Sequence, residues 1–393
     1  MRSRRSGNDG LTHLLVGGAD HRVCIRCVMD TSDPEITFNA AGRCNLCEEF
    51  FAARSSSTYH GGASVEELKS LLAAVKEAGR GAEHDCVIGL SGGVDSSYLA
   101  YLLRRDFGLR PLGVHMDNGW DSAQSVQNIR HVVEGLDIDY ECTVLDWDEF
   151  RRIQLAFLKA SVPEAETPTD VAIPEVLYST AEKYGIRYVL GGGNLATEGV
   201  LPRAWHYNAR DRRYFNSICT RFGAGVPRRF DFFDYRREIH FKLAKGIKTI
   251  YPLNYLPFDK SEAIELLKSQ LNFQYYGQKH FESRYCRFIQ SYYLFTKFGI
   301  DYRRATYSSM ILDGQMSRED ALEGLKQLPY DPDSIDDDIR YVAKKLEISS
   351  DELREIIALP PTWYWDHPND ERKLSLIYTV YRRLYRKKKL SSV

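Results

Sequence analysis

The run CVIGL, residues 86–90, is short and continuously apolar, the pattern of a strand buried on both faces. It stops at SGGVDSS and restarts with helical spacing in SSYLAYLLRRD (96–106). The alternation continues downstream. PLGVHMD (111–117) predicts a second strand, and 121–136 a helix with Val126, Ile129, Val132, Val133 and Leu136 facing inward. YECTVLD (140–146) predicts a third strand, helices follow over 148–160 and 174–183, and a fourth strand, IRYVL (186–190), ends at GGGN. Upstream, SVEELKSLLAAVKEAG (64–79) predicts a helix opened by a capping box of Ser64 and Glu67, with Val65, Leu68, Leu71, Leu72 and Val75 on one face. Strand–helix units of this length predict an α/β fold, a doubly wound parallel sheet with helices on both faces. Ligands bind such sheets beyond the carboxyl ends of the strands.

From about Leu201 the periodicity fades. RAWHYNARDRRYFNSICTRFG (203–223) is aromatic and basic without a clean period, like an active-site insertion. IKTIYPL (247–253) predicts a fifth strand. Beyond Asp259 the chain reads helical over 261–269, 283–298, 317–325, 334–346, 350–359 and 370–386. The expected organisation is a disordered tail (1–21), a cysteine module (22–60), an α/β domain (61–258) and a helical C-terminal region (259–393).

Lys and Arg number 53 against 54 Asp and Glu, for a net charge of -1, which argues against a dedicated nucleic-acid binder. The basic stretch YRRLYRKKKL near the C-terminus reads as a solvated helix end. No apolar run is long enough to span a bilayer, and the basic start MRSRRSGNDG is followed by no adequate hydrophobic segment. A cytoplasmic protein without a membrane segment is expected. The eight cysteines, two close pairs and four singles, suit a reducing compartment.

Each residue of SGGVDSS has a physical use. Gly92 and Gly93 tolerate positive φ and put no Cβ between backbone and ligand. The helix that follows, beginning near Ser96, aims its free N–H groups and positive dipole end at the loop, an anion site suited to phosphates. Ser91, Ser96 and Ser97 add hydroxyl donors, and Val94 belongs to the same turn. Asp95 is the odd member, because a carboxylate beside phosphates is repulsive unless a cation lies between; it is assigned to Mg²⁺. The spacing is neither GxxxxGK[ST] nor GxGxxG. Strand, SGGxDS, helix in that order resembles the PP-loop of ATP pyrophosphatases, of the adenine nucleotide alpha hydrolase-like fold. Such enzymes split ATP between the α and β phosphates. The resemblance implies adenine and ribose contacts from Met116 and Asp117, and a second nucleotide-facing turn at Gly191, Gly192, Gly193 and Asn194. Taken singly, either turn reads as a plain loop.

Cys24-x₂-Cys27 and Cys44-x₂-Cys47, sixteen residues apart, have the spacing of a structural zinc site. Four thiolates close a tetrahedral shell with no open position for water; an iron–sulfur cluster uses the same ligand set. Cys86, Cys142, Cys219 and Cys286 read as ordinary core or surface residues.

The cysteine module, SGGVDSS, GGGN and the long stretches 251–267 and 274–322 closely resemble the N-acetyl sugar amidotransferases of bacterial lipopolysaccharide O-antigen biosynthesis. The likeness spans nearly the whole chain apart from the first twenty or so residues and the extreme C-terminus. It implies conversion of an acetamido group on a UDP-linked sugar, a 2,3-diacetamido uronic acid, to an acetamidino group at the expense of ATP. Ammonia would come from partners similar to the glutaminase and cyclase subunits of imidazole-glycerol-phosphate synthase. In GQKHFESRYCRF (277–288), Lys279 and His280 are candidates for a diphosphate or uronate, Glu282 for a base, and Ser283 and Arg284 for substrate contacts. Spacing alone also allows a polar helix start capped by Glu282 and Ser283. Arg203, Trp205 and His206 are candidates for the sugar pocket, and Lys260 for the phosphates. The alternative is a PP-loop tRNA-modifying, thiolating enzyme; a scaffold that binds nucleotide without turnover is a third reading.

Overall fold

The computed structural model describes residues 21–57, 62–277 and 281–384. The expected tail, His21 excepted, and the end of the 370–386 helix lie outside the described residues. Contacts divide the chain into two compact units. Among the described residues, one holds those up to Ser56, Leu195–His206 and Arg287–Pro361; the other holds those within Ser57–Asn194, within Tyr207–Cys286 and from Thr362.

In the second unit β1 (Cys86–Gly89), β2 (Pro111–Asp117), β3 (Asp139–Val144), β4 (Tyr188–Leu190) and β5 (Lys248–Ile250) form one all-parallel sheet in the order β3-β2-β1-β4-β5. The connecting helices are α1 (Val94–Tyr101), α2 (Ala123–Leu136), α3 (Trp147–Ala160) and α4 (Thr167–Lys183). The chain steps outward from β1 to β3, then returns past β1 to β4. The crevice at the carboxyl ends of β1 and β4 is therefore the topological switch point, where open α/β sheets bind ligands.

Burial explains the apolar runs. Val87, Leu112, Val114 and Val189 pack with Tyr178 and Ala181 of α4 and with Phe233, Phe241 and Ile247. Alternation turns Ile88, also fully buried, to the opposite face. The two edge strands present residues to solvent, among them Tyr140 and Val144 of β3 and Lys248 of β5.

Three local expectations change. Helix α2 buries Ser125, Asn128, Ile129, Val132 and Leu136, while Val126 is 49% exposed. Its inward face is rotated because two polar residues on it serve the glycine loop, as shown below. Helix α4 starts at Thr167, so Pro174, read as its first residue, lies inside it; a proline there removes one hydrogen bond without ending the helix. The helix read from Ser64 begins at Gly62, and Ser64 is buried inside it rather than capping it.

Half of the expected insertion is core. Asp211 accepts from Tyr214 N at 2.9 Å and caps the helix Arg212–Arg221. Tyr214, Phe215, Ile218 and Cys219 of that helix pack on Ile153, Ala156, Phe157 and Ala160 of α3. Tyr364 stacks on Tyr207 in the same core, 4.3 Å between ring centroids.

Glu164 is buried beside this core and accepts from Tyr214 Oη at 3.2 Å. Burial pushes its carboxyl up to about 8, against the smaller opposing pull of its hydrogen bonds. The folded chain thus keeps a proton there that the unfolded chain releases near pH 4.5. Each step from pH 4.5 towards 8 favours unfolding, on the order of 4 kcal/mol in total. Glu164→Gln should flatten that decline and leave the variant more stable than wild type at pH 8. Urea unfolding of both proteins at pH 5 and 8 tests this; equal slopes would refute it.

In the first unit the helix Arg303–Asp313, which the sequence pattern does not reveal, inverts the usual polarity. Ser308 and Ser309 are fully buried, and their hydroxyls accept from Val28 N (3.2 Å) and Val200 N (2.9 Å). Among the described residues no helix is long and apolar enough to cross a membrane.

Candidate functional site

The glycine loop leaves β1 at the switch point. Gly92 has φ +76°, and a Cβ there would lie 2.4 Å from the carbonyl oxygen of Ser125, so no other residue fits. Gly93 is extended (φ -81°) and precedes Val94, the buried first residue of α1, with no side chain capping the helix. Ser91 and Ser96 brace the loop from within. Ser91 Oγ accepts from Gly93 N at 3.2 Å, and Ser96 Oγ donates to Gly93 O at 3.2 Å. The Ser97 hydroxyl is buried without a hydrogen-bond partner among the described residues.

The turn after β4 closes on this loop. A Cβ at Gly192 would lie 3.0 Å from the backbone of Asp95, and one at Gly191 would lie 2.6 Å from the Tyr251 ring. Asn194 is buried and its Nδ2 donates to Asp95 Oδ2 at 3.4 Å. Gly193 lies between them in the same turn. On the other side, Met116 and Asp117 end β2, both half-buried, and Asp117 Oδ1 accepts from Gly119 N at 2.8 Å. His115 bridges the Leu90 carbonyl (2.8 Å) and Asp121 (2.9 Å). Both partners are acceptors, so both ring nitrogens donate. Burial disfavours that charge, but the Asp121 contacts outweigh it and the imidazole is shifted upward.

Glu282 also reaches the loop. A Cβ at Gly93 would lie 3.3 Å from Glu282 Oε1 and 3.1 Å from Tyr276 Oη. The Glu282 carbonyl accepts from Ser122 N at 2.8 Å, Ser283 bridges to Asp121, and Arg284 N donates to Trp120 O at 3.0 Å. Ser283 Oγ accepts from Cys286 N at 3.2 Å, so it also plays the helix-start role that spacing allowed. Lys260 opens the helix Lys260–Leu271, its ammonium 5.9 Å from the ring centre of Tyr275. Lys279 and His280 lie outside the described residues. Sequence reasoning missed Asn128 and Tyr276. Asn128 left one signal, a polar residue among the inward positions of an amphipathic helix.

Arg203, Trp205 and His206 belong to the other compact unit. Arg203 pairs with Glu35, Trp205 is 2% exposed and packs on Tyr302, and His206 is half-buried. That unit also holds the four cysteines, all buried. Sγ separations are 3.8 Å for Cys24–Cys47, 3.7 Å for Cys27–Cys44 and 3.5 Å for Cys44–Cys47. Four thiolates about 2.3 Å from one tetrahedral ion would stand roughly 3.8 Å apart. Arg26 N and Cys44 N donate to Cys24 Sγ, at 3.4 and 3.3 Å. The donor set therefore fits a single metal ion.

Comparison with known proteins agrees with this layout. Residues 65–173 match the NAD synthase family, and residues 282–384 match the family described as LPS biosynthesis protein WbpG-like, C-terminal domain. A tRNA-specific 2-thiouridylase MnmA of Chlamydia abortus is 33% identical over 124 residues, 28% of this chain and 33% of that protein. The chain thus spans about a third of that curated relative's length. Among solved structures, an NMN synthetase from Francisella tularensis aligns over 84% of this chain and 97% of its own, at 18% identity and a TM-score of 0.31. The U34-tRNA thiolase NcsA from Methanococcus maripaludis, solved with its [4Fe-4S] cluster, aligns over 77% and 88%, at 17% identity and a TM-score of 0.33. Residues 65–173 thus resemble an NAD-synthase-type PP-loop ATPase domain, and residues 282–384 a WbpG-like C-terminal domain of lipopolysaccharide biosynthesis.

Proposed function

We propose that the chain is an ATP-dependent amidotransferase that turns an acetamido group of a UDP-linked sugar into an acetamidino group in O-antigen biosynthesis. One observation carries the reading. Glu282, the first residue of the WbpG-like match, lies against Gly93 of the glycine loop within the NAD-synthase-like match. A segment shared with lipopolysaccharide proteins thus supplies a carboxylate to an ATP-type phosphate site. The sugar favoured by the sequence resemblance is a 2,3-diacetamido uronic acid.

An amide oxygen is a poor leaving group, so it must first be activated. It attacks the α-phosphorus of ATP; the bond to the bridging oxygen breaks and pyrophosphate leaves with the electron pair. Ammonia adds its lone pair to the carbon of the O-adenylyl imidate, the carbon–oxygen bond breaks, and AMP leaves. One oxygen is replaced by one NH. The open N-terminus of α1 is suited to hold the phosphates, with Ser91 and Ser96 bracing the loop that leads into it. Mg²⁺ held by Asp95 would neutralise charge on the departing pyrophosphate. Ammonia is assigned to a glutaminase partner.

A second reading, tRNA thiolation, draws on the 2-thiouridylase match. It calls for a reactive thiol near the nucleotide. Cys86 is buried in β1 and pushed up by burial, and Cys142 on the edge strand is likewise raised, first by desolvation. Neither is poised as a thiolate.

The deciding experiment is a panel of nucleotide sugars with ATP, Mg²⁺ and ammonium. AMP and pyrophosphate should form only with an acetamido sugar, whose mass falls by the difference between O and NH. Salt-sensitive tRNA binding with no response to any sugar would favour thiolation instead.

A further inference from the structure

Tyr276 belongs to no recognisable motif, yet its hydroxyl donates to Glu282 Oε2 at 3.1 Å. The pair sits on the glycine loop, and the same turn of α2 fixes every part of it. Ser125 presents the carbonyl against which Gly92 packs, and its hydroxyl donates to the Glu282 carbonyl at 3.1 Å. Asn128, fully buried, donates to Gly92 O at 3.3 Å and to Gln274 O at 2.9 Å, and accepts from Gln274 N at 3.0 Å. The glycine loop, the Glu282 backbone and the backbone two residues before Tyr276 are therefore tied to a single helical turn.

A carboxylate fixed beside a phosphate site is repulsive to the ligand and needs a chemical use. The Tyr276 phenol is shifted upward by burial, then by Glu282 and Asp95, so it stays protonated and serves Glu282 as a donor. With Oε2 engaged by Tyr276, Oε1 is the oxygen turned to Gly93.

We propose that Tyr276 is a positioning residue that holds Glu282 over the glycine loop as proton acceptor for the amination step, an inference that rests on the amidotransferase reading. The step balances simply. The Glu282 carboxylate takes one proton from ammonium and becomes a carboxylic acid, and the ammonia released keeps the electron pair with which it adds to the imidate carbon. Tyr276 touches no reacting atom; it selects which carboxylate oxygen faces them.

Tyr276→Phe removes only the hydroxyl. Amidine formation at saturating ammonium should fall roughly 10- to 100-fold. ATP affinity by titration calorimetry, and first-turnover pyrophosphate release without ammonium, should each change by less than about threefold. Glu282→Gln should lose more. Adding Tyr276→Phe to it should then cost within about twofold, because a residue acting through Glu282 has nothing left to position. Additive losses, or an equal fall in ATP affinity and pyrophosphate release, would overturn the positioning role alone. A wild-type chain that forms no amidine from any acetamido sugar would overturn the reaction and this proposal with it.

Discussion

Asp95→Asn should reduce pyrophosphate release by roughly 1,000-fold, several kcal/mol of transition-state stabilisation, while the fold survives. The two effects separate because Asn matches Asp in shape and removes only the charge. Asp95 is half-buried in the first turn of α1, where a carboxylate gains about 0.5 kcal/mol from the helix dipole. Its contact with Asn194 Nδ2, at 3.4 Å, survives in the variant, because the amide oxygen of Asn still accepts. What the variant lacks is the negative charge. On the proposed reading, a divalent cation then loses its protein ligand, and the phosphates lose the counter-charge that lets them approach. Wild type should bind ATP more tightly when Mg²⁺ is added, and Asp95→Asn should not. Calorimetric titration with and without Mg²⁺ reads this without any turnover. A variant that keeps a tenth of wild-type activity, or the same response to Mg²⁺, would remove Asp95 from the metal site.

Much of this layout is legible in the chain because the decisive interactions are local. β1, β2 and β4 are enclosed, so they read as short apolar runs. The runs end at Ser91, Asp117 and Gly191, where the chain turns over the ligand crevice. Gly92 is legible for the same reason, since its positive φ is required by the turn itself. Two of the misreadings share one cause, polar residues buried for partners far along the chain. Ser125 and Asn128 shift the face of α2 because they hold Glu282 and Gln274, and Val126 is pushed to the surface. Ser308 and Ser309 hide a helix because they receive backbone N–H groups of Val28 and Val200. Tyr276 is invisible in sequence because its role is a single contact with Glu282, across a turn that no periodicity describes. Arg203 and Trp205, candidates for the sugar pocket, carry no sequence sign of their packing: Arg203 pairs with Glu35, and the ring of Trp205 is enclosed in its own unit.

Removing the metal from the cysteine centre should unfold the module around it. Purified chain should carry one zinc per molecule and no visible absorption band, because thiolates 3.5–3.8 Å apart suit one tetrahedral ion, whereas a cluster puts each thiolate on its own iron. The surroundings are built for a centre that is net negative. Arg318 donates to the carbonyls of Cys27 (3.0 Å) and Cys24 (2.9 Å). Arg304 donates to the Val28 carbonyl (2.7 Å) and pairs with Asp30 (2.9 Å). Without a cation the thiols compete for protons. Cys24 is held low by hydrogen bonds from the other three, and Cys47 is pushed up by the same contacts in reverse. Four thiolates can coexist only around a metal, and a structural zinc of this kind contributes on the order of 10 kcal/mol to folding. Cys44→Ser, which takes away the sulfur shared by the 3.5 and 3.7 Å contacts, should abolish zinc binding and expose residues 22–50 to proteolysis. Chelation should produce the same cleavage before turnover declines. Turnover lost while the module remains protected would make the metal a participant in the reaction, and a Cys44→Ser chain that keeps both zinc and protection would remove Cys44 from the ligand set.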